Sequence, residues 1–165
     1  MLRPTEYYHL SKKDKFYLAV AEAVSKGSKC IRAQVGAVIV KDDEIISTGY
    51  AGAPRGEPDC KKIGKCFRQE HNIPSGSDYL LCRSVHAETN ACLHAGRQRA
   101  KGGTLYMFGY GRICEWCSRI ILNTGIARCV IGFKDPVGPL TKVFAPEDLV
   151  YEPEILRNWT IEQLL

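Results

Sequence analysis

Two short motifs constrain the fold of this chain more than any other feature. His86-Ala87-Glu88 stands at the start of one helical run, and 28 residues later Cys114-Glu115-Trp116-Cys117 opens the next, with a single strand-like segment between them. One imidazole and two thiolates are three ligands of the kinds zinc prefers, and three protein ligands leave the fourth tetrahedral position open, which is the layout of a catalytic site. For the three to meet, two strand-loop-helix units must lie side by side with both helix starts at the same end of a sheet, where open α/β sheets bind their ligands. Two residues beyond His86 a helix has turned about 200°, so Glu88 is left free to move protons rather than to share the metal. Helix starts also favour thiolate over thiol, which helps Cys114 and Cys117 bind metal near neutral pH. Taken singly the motifs say less: His-Ala-Glu is also an ordinary helix turn, and Cys-x-x-Cys is also a redox pair or half of a zinc ribbon.

The remaining cysteines extend the metal argument. There are eight in all, at positions 30, 60, 66, 82, 92, 114, 117 and 129, and the start Met1-Leu2-Arg3-Pro4 leads into no signal-peptide core. The expectation is therefore a cytoplasmic chain in which disulfides are disfavoured and thiols serve metal binding or catalysis. Cys92 and Cys129 lie inside apolar stretches and read as small buried hydrophobes. Cys30, Cys60, Cys66 and Cys82 bracket a long loop and could close a second, structural zinc site, with His71 as a substitute ligand. Cys82, four residues before His86, is expected to face away from the first metal because a loop or distorted first turn precedes that helix.

The rest of the chain fits one domain, residues 1–165, with a core over about 14–134 and a tail over about 135–165. Ser11 and Asp14 form a capping-box pattern, and Phe16, Val20, Ala23 and Val24 follow at helical spacing up to Lys26-Gly27. Gln34 to Val40 and Glu44 to Tyr50 are β-branched runs joined by the polar turn Lys41-Asp42-Asp43, a hairpin signal. Ala51 to Leu81 is a long loop rich in Gly, Pro, Cys and charge, of a length that is usually functional. Ser84 to Arg97 is helical, Thr104 to Phe108 a strand, Cys114 to Asn123 a helix closed by Gly125, and Ala127 to Gly132 a strand. After Lys134 the pattern weakens into a Pro-containing tail with a short helix near Trp159 to Leu165. The order α, β, β, α, β, α, β predicts an α/β fold, a three-layer α/β/α sandwich around a mixed sheet of about five strands. With 25% charged residues and no apolar run of spanning length, a membrane protein is excluded, and a net charge of +5 suits an anionic ligand without amounting to a nucleic-acid-binding tract.

Several segments carry a family resemblance in the right order. They are Ser28-Lys29-Cys30-Ile31-Arg32-Ala33-Gln34-Val35-Gly36-Ala37-Val38-Ile39-Val40, Gly49-Tyr50-Ala51-Gly52-Ala53-Pro54-Arg55-Gly56, Ile73-Pro74-Ser75-Gly76, and Cys82-Arg83-Ser84-Val85-His86-Ala87-Glu88-Thr89-Asn90-Ala91. From about Phe16 to Gly132 the chain resembles the deoxycytidylate (dCMP) deaminases of the cytidine-deaminase fold, whose signature is H-x-E followed by P-C-x-x-C. The resemblance implies hydrolysis of dCMP to dUMP and ammonia, with zinc on His86, Cys114 and Cys117 acidifying a water, and Glu88 carrying its proton to N3 of the pyrimidine while hydroxide attacks C4. Some relatives carry a second zinc, which supports the same role for Cys30, Cys60, Cys66 and Cys82. Arg32, Arg55 and Arg83, with Tyr50 and Asn90, lie in or beside the motifs as candidates for nucleotide contact, arginine being suited to phosphate by its bidentate geometry. The resemblance further implies a homo-oligomer, a hexamer in several relatives, and dCTP and dTTP as effectors. Two positions depart from the pattern: Ile113 stands where the family has Pro, and Ala51 where Gly-Tyr-Asn-Gly has its Asn. The alternatives are a deaminase of another substrate, such as a free nucleoside, a nucleic-acid base or another aminated heterocycle, or a zinc-stabilised binding protein on the same fold.

Overall fold

In a computed structural model of the chain, residues 10–135 and 138–144 are described. In chain order these residues form α1 (Lys12–Ser25), β1 (Gly36–Lys41), β2 (Glu44–Tyr50), two single-turn helices α2 (Cys60–Ile63) and α3 (Phe67–Glu70), and a 3-10 turn at Tyr79–Leu81. They are followed by α4 (Ala87–Ala100), β3 (Thr104–Phe108), α5 (Glu115–Thr124), β4 (Arg128–Asp135) and β5 (Gly138–Phe144). Successive side chains of a strand point to opposite faces, and each inner strand here buries both. In β1, Ala37 and Ile39 pack with α4 and α5 while Val38 packs with α1. Leu105 and Met107 of β3 and Cys129 and Ile131 of β4 take the first side, and Tyr106 and Val130 the second. Covering on both faces is why these strands read as unbroken apolar runs rather than alternating ones.

The five strands run in the order β2-β1-β3-β4-β5, with β3 and β4 parallel and every other neighbouring pair antiparallel. This is the three-layer mixed-sheet α/β/α sandwich that the sequence predicts. β2 and β3 match their expected ranges, and Asp42 and Asp43 of the hairpin turn take positive φ values of 51° and 68°, as such tight turns require. β5 corrects the reading of a weakening tail after Lys134. It pairs Pro139 with Lys134 at the sheet edge, where a residue without an N–H is tolerated, so the proline that obscured the strand is compatible with its position. The short helix expected near Trp159 to Leu165 lies outside the described residues.

α1 opens with the expected capping box: the Asp14 N–H donates to Ser11 Oγ at 3.0 Å and the Ser11 N–H to Asp14 Oδ2 at 3.2 Å. Its buried stripe is Asp14, Tyr17, Leu18, Ala21 and Ser25; of the four apolar residues expected from the sequence, Val20 and Val24 are partly buried against this core, whereas Phe16 is 61% exposed and Ala23 is also exposed. The stripe begins and ends on polar residues, which breaks its apolar periodicity in the sequence. Asp14 is 4% exposed and accepts from Tyr106 Oη at 2.9 Å and from both terminal nitrogens of Arg128 at 2.7 and 3.1 Å. The Arg128 guanidinium holds the Asp14 carboxyl well below the usual carboxylate range, against the opposing effect of burial. Because the folded-state value lies under the unfolded one, the resulting stabilisation is present above about pH 4 and is lost as pH falls through the folded-state value. Asp14→Asn should therefore lower stability at pH 7 by about 2–3 kcal/mol and lose less stability than wild type between about pH 5 and 2, as measured by urea denaturation across that range.

α4 lies against β2, and one glycine sets its distance. A Cβ at Gly49 would fall 2.3 Å from the Ala87 carbonyl oxygen and 2.3 Å from the Ala91 backbone nitrogen, while Ser47 Oγ donates to the Ala91 carbonyl at 2.8 Å. Neither backbone atom can yield as a flexible side chain would. Gly49→Ala should lift the helix start that carries His86 and Glu88, with a destabilisation of about 1–3 kcal/mol in thermal unfolding.

Candidate active site

His86 is the N-cap residue of α4 and Cys114 the N-cap residue of α5, so both come to the same end of the sheet. The approach to α4 is pinned by Val85, whose N–H donates to the Gly52 carbonyl at 2.8 Å and whose carbonyl accepts from the Gly52 N–H at 3.2 Å. On α5 the Cys114 sulfur accepts the Cys117 N–H at 3.5 Å, doing the capping that a serine or aspartate oxygen commonly does. The result is a tight cluster: His86 Nδ1 lies 3.4 Å from Cys114 Sγ and 3.5 Å from Cys117 Sγ, and all three donor atoms fall within 4.8 Å of one another. A tetrahedral zinc with N and S bonds of ordinary length puts such donors about 3.6 Å apart, so the observed spacing fits the ion. Both sulfurs are buried, Cys114 at 8% and Cys117 at 1% exposure.

The electrostatics of the cluster show protons that a metal would replace. Hydrogen bonding from Cys117, together with His86, pulls the Cys114 thiol down to about 4 in spite of burial. The thiolate so formed, with burial and the Glu88 carboxylate, pushes the Cys117 thiol up. Burial opposes the charged form of His86, yet the Cys114 and Cys82 sulfurs and Glu88 raise it to about 10. Glu88, in the first turn of α4 and 4% exposed, has its carboxyl pushed upward by burial, only partly offset by His86. A carboxyl with a raised pKa beside an open metal position is the type of group expected to relay protons.

The cluster opens on a cavity of about 170 Å³ whose wall includes His86, Glu88 and Cys114. The long segment after β2 supplies much of the rest of the wall. Arg68 of α3 is 6% exposed; its Nη2 donates to the Pro74 and Ser77 carbonyls at 2.7 and 2.5 Å, and its guanidinium carbon lies 4.7 Å from the centre of the Tyr79 ring. Tyr79 in turn meets the His86 ring edge-on, with centroids 5.1 Å apart. Arg68 Nε is buried with no hydrogen-bond partner. From the far side, Ser75 Oγ and Tyr110 Oη share a hydrogen bond of 2.7 Å, and Arg112 Nη2 donates to the Gly76 carbonyl. Residues 74–79 thus form a strap fastened on both sides.

Cys30, Cys60, Cys66 and Cys82 all line this cavity, and the burial that raises the Cys60 thiol is reinforced by the nearness of the other three. Among the described residues, however, only His86, Cys114 and Cys117 bring three potential ligand atoms within 4.8 Å of one another. Cys82 corrects one expectation. It does lie outside the helix, after the 3-10 turn, but its thiol engages His86 and is lowered by that contact and by Ser84, despite burial. The distorted turn expected there directs the side chain toward the first cluster rather than away from it. His71 stacks on Phe67 at 3.9 Å and is exposed, and it does not line the cavity. Cys92 and Cys129 are 3% and 0% exposed in the core, where burial lifts the first to about 11 and the second further.

Of the nucleotide-contact candidates, Arg32 and Arg83 line the cavity, with Arg83 bound to Glu57 Oε2 at 2.8 Å. Tyr50, Arg55 and Asn90 are not in its wall, and the Asn90 amide donates to the Tyr50 carbonyl at 2.8 Å. Ala51 is in the wall, whereas Ile113 packs on the core beneath. Sequence reasoning missed Tyr79, Arg68, Arg112 and Thr89, whose hydroxyl lies 3.4 Å from Cys117 Sγ. Thr89 was findable, since it follows His86 by three residues and so shares its side of the helix.

The family model described as the cytidine and deoxycytidylate deaminase zinc-binding region matches residues 11–133. The chain belongs to that deaminase family. It is 40% identical over 121 residues to a deoxycytidylate deaminase of Mycobacterium phage D29, an alignment covering 71% of this chain and 91% of the phage protein. It is 35% identical over 117 residues to a deoxycytidylate deaminase of Schizosaccharomyces pombe, of which the chain spans 36% against 71% of its own length. Among solved structures, a dCMP deaminase from cyanophage S-TIM5 in complex with dCMP and dUMP matches with a TM-score of 0.52 and 27% identity, covering 72% of this chain and 79% of that one. As a member of the deaminase family with a His/Cys/Cys cluster that fits the ion, the protein is a zinc-dependent hydrolytic deaminase. Among the described residues no helix is long and apolar enough to cross a membrane.

Proposed function

We propose that the protein converts dCMP to dUMP and ammonia, with His86, Cys114 and Cys117 as the zinc ligands and Glu88 as the catalytic acid and base. The observation that carries this reading is the His/Cys/Cys cluster with its open side on a cavity that also holds the buried Glu88. Zinc, when bound there, supplies a Lewis acid that lowers the pKa of water to about 7. The chain's own part is proton handling. The Glu88 carboxylate takes a proton from the attacking water and delivers it to N3 of the cytosine ring while a C4–O bond forms. It then moves the proton of the new C4 hydroxyl to the exocyclic nitrogen, and the C4–N bond breaks to release ammonia as the C4 carbonyl of the uracil forms, with no change of oxidation state. Tyr79, edge-on to His86, limits the rotation of that imidazole, and burial at the two helix starts excludes bulk water from the carboxyl.

The choice of dCMP is supported by the deoxycytidylate deaminases that the chain resembles and by the four arginines in the cavity wall. Ammonia release measured across dCMP, CMP, deoxycytidine and single-stranded DNA tests it: dCMP should give the highest kcat/KM, and a preference for any of the others would replace the substrate assignment.

The same reading includes a second, structural zinc on Cys30, Cys60, Cys66 and Cys82. Its support is their convergence on one cavity, and it requires their sulfurs to draw together on metal binding. Purified protein should then carry two zinc ions per chain, falling to one in Cys60→Ser with a lower melting temperature. A wild-type value of one, with these thiols freely reactive, would leave the long segment held by Arg68, Tyr110 and Arg112 without a metal.

A further inference from the structure

Among the described residues the cavity wall contains four arginines, Arg32, Arg68, Arg83 and Arg112, and one carboxylate, Glu88. Two of the arginines are already committed. Arg83 is paired with Glu57, and Arg68 is buried with Nη2 divided between two strap carbonyls. Arg112 differs from both. It lies two residues before Cys114, on the loop that carries a metal ligand, and it is held by neutral groups only: the Gly76 carbonyl, Tyr79 and Tyr110. Among the described residues it forms no ion pair. Gly76 has φ +94°, a left-handed conformation that favours glycine, and the strap meets this guanidinium through its carbonyl. A second sign of missing negative charge is the unpartnered Nε of Arg68 in the same wall.

Resting on the deaminase reading above, we infer that Arg112 is the specificity-determining residue for the 5′-phosphate of the nucleotide, exchanging its bond to the neutral Gly76 carbonyl for a bond to the phosphate dianion. A carbonyl gives up a guanidinium far more readily than a carboxylate does, and a charged acceptor makes the stronger hydrogen bond. The fastenings Ser75–Tyr110 and Gly76–Arg112 bring Ser75, Tyr110 and Arg112 into the same wall as Glu88 and Cys114. On this view the strap responds to substrate: phosphate binding removes one of its two attachments on the Tyr110 side.

The test is calorimetric binding of dUMP and of deoxyuridine to zinc-loaded wild type, Arg112→Ala and Arg112→Lys, alongside kcat/KM for dCMP and deoxycytidine. Arg112→Ala should weaken dUMP about 30- to 100-fold while deoxyuridine stays within about threefold, and lysine should restore part of the loss. The dCMP defect should appear mainly in KM. Equal losses for nucleotide and nucleoside would overturn the inference, since they mean that Arg112 acts only through the strap or Cys114. So would wild type that binds dUMP no tighter than deoxyuridine, or an Arg112-dependent preference for an oligonucleotide over dUMP. Arg112-dependent dUMP binding with no turnover of either substrate would keep the phosphate assignment and reject the deaminase reading instead.

Discussion

Glu88→Gln should bind zinc and dUMP as wild type does and lose between about 100-fold and 10⁴-fold in kcat. Glutamine has the same shape and can keep the first turn of α4 packed, with Ala87 and Ala91 fully buried on either side. What it cannot do is accept and release a proton. Among the described residues Glu88 is the only carboxylate in the cavity wall, so none of them offers a neighbouring acid to replace it. Steady-state ammonia release together with metal analysis checks the result. Turnover within a few-fold of wild type would remove Glu88 from the chemistry, and loss of zinc would show that the carboxyl serves the metal instead.

Cys114→Ala should abolish activity by emptying the first cluster of metal, with zinc affinity falling by more than about 100-fold. The variant removes two things at once, because the same sulfur is a metal donor and the acceptor of the Cys117 N–H at the start of α5. Cys114→Ser separates them. Its oxygen can retain the cap, worth about 0.5–2 kcal/mol, while offering zinc a poor ligand. The serine variant should therefore melt closer to wild type than the alanine variant in metal-free buffer, yet be equally inactive. Zinc retained in both variants would mean that the ion is bound elsewhere.

The parts of the fold legible in the sequence are those where local chemistry and tertiary environment agree. β3 is bounded by glycines and lies within a sheet covered on both sides, so its apolar run fixes its limits, whereas the edge strand β2, whose buried residues are Ser47 and Gly49, is marked instead by the Asp42-Asp43 turn that precedes it. The His86, Cys114 and Cys117 cluster was legible because ligand chemistry admits few residue types and both motifs open helices. β5 was not, since its proline argues against a strand until the partner strand is known. The buried stripe of α1 was obscured by Asp14, whose burial makes sense only beside Arg128, 114 residues away. Arg112 was indistinguishable from any exposed arginine until Gly76, 36 residues earlier, was found against it. Conversely Tyr50 and Asn90, attractive by motif, are joined to each other through a backbone carbonyl outside the cavity wall.

The two walls of the cavity have different mechanical origins, and that bears on how such a protein can change. His86, Glu88 and Cys114 belong to helix starts anchored on a sheet, where a shift of even one helix meets backbone atoms at Gly49. Much of the other wall is a segment of two single-turn helices and a strap, braced from within by Arg68 and tied to the rest by polar contacts at Lys61, Tyr110 and Arg112. Mutations and insertions in that segment can accumulate without displacing His86, Cys114 or Cys117, because loops tolerate them far better than packed elements do. The scaffold that holds the reaction chemistry and much of the cavity lining are thereby free to change separately: residues 51–81 can be exchanged while the loop that carries both Arg112 and Cys114 stays as it is.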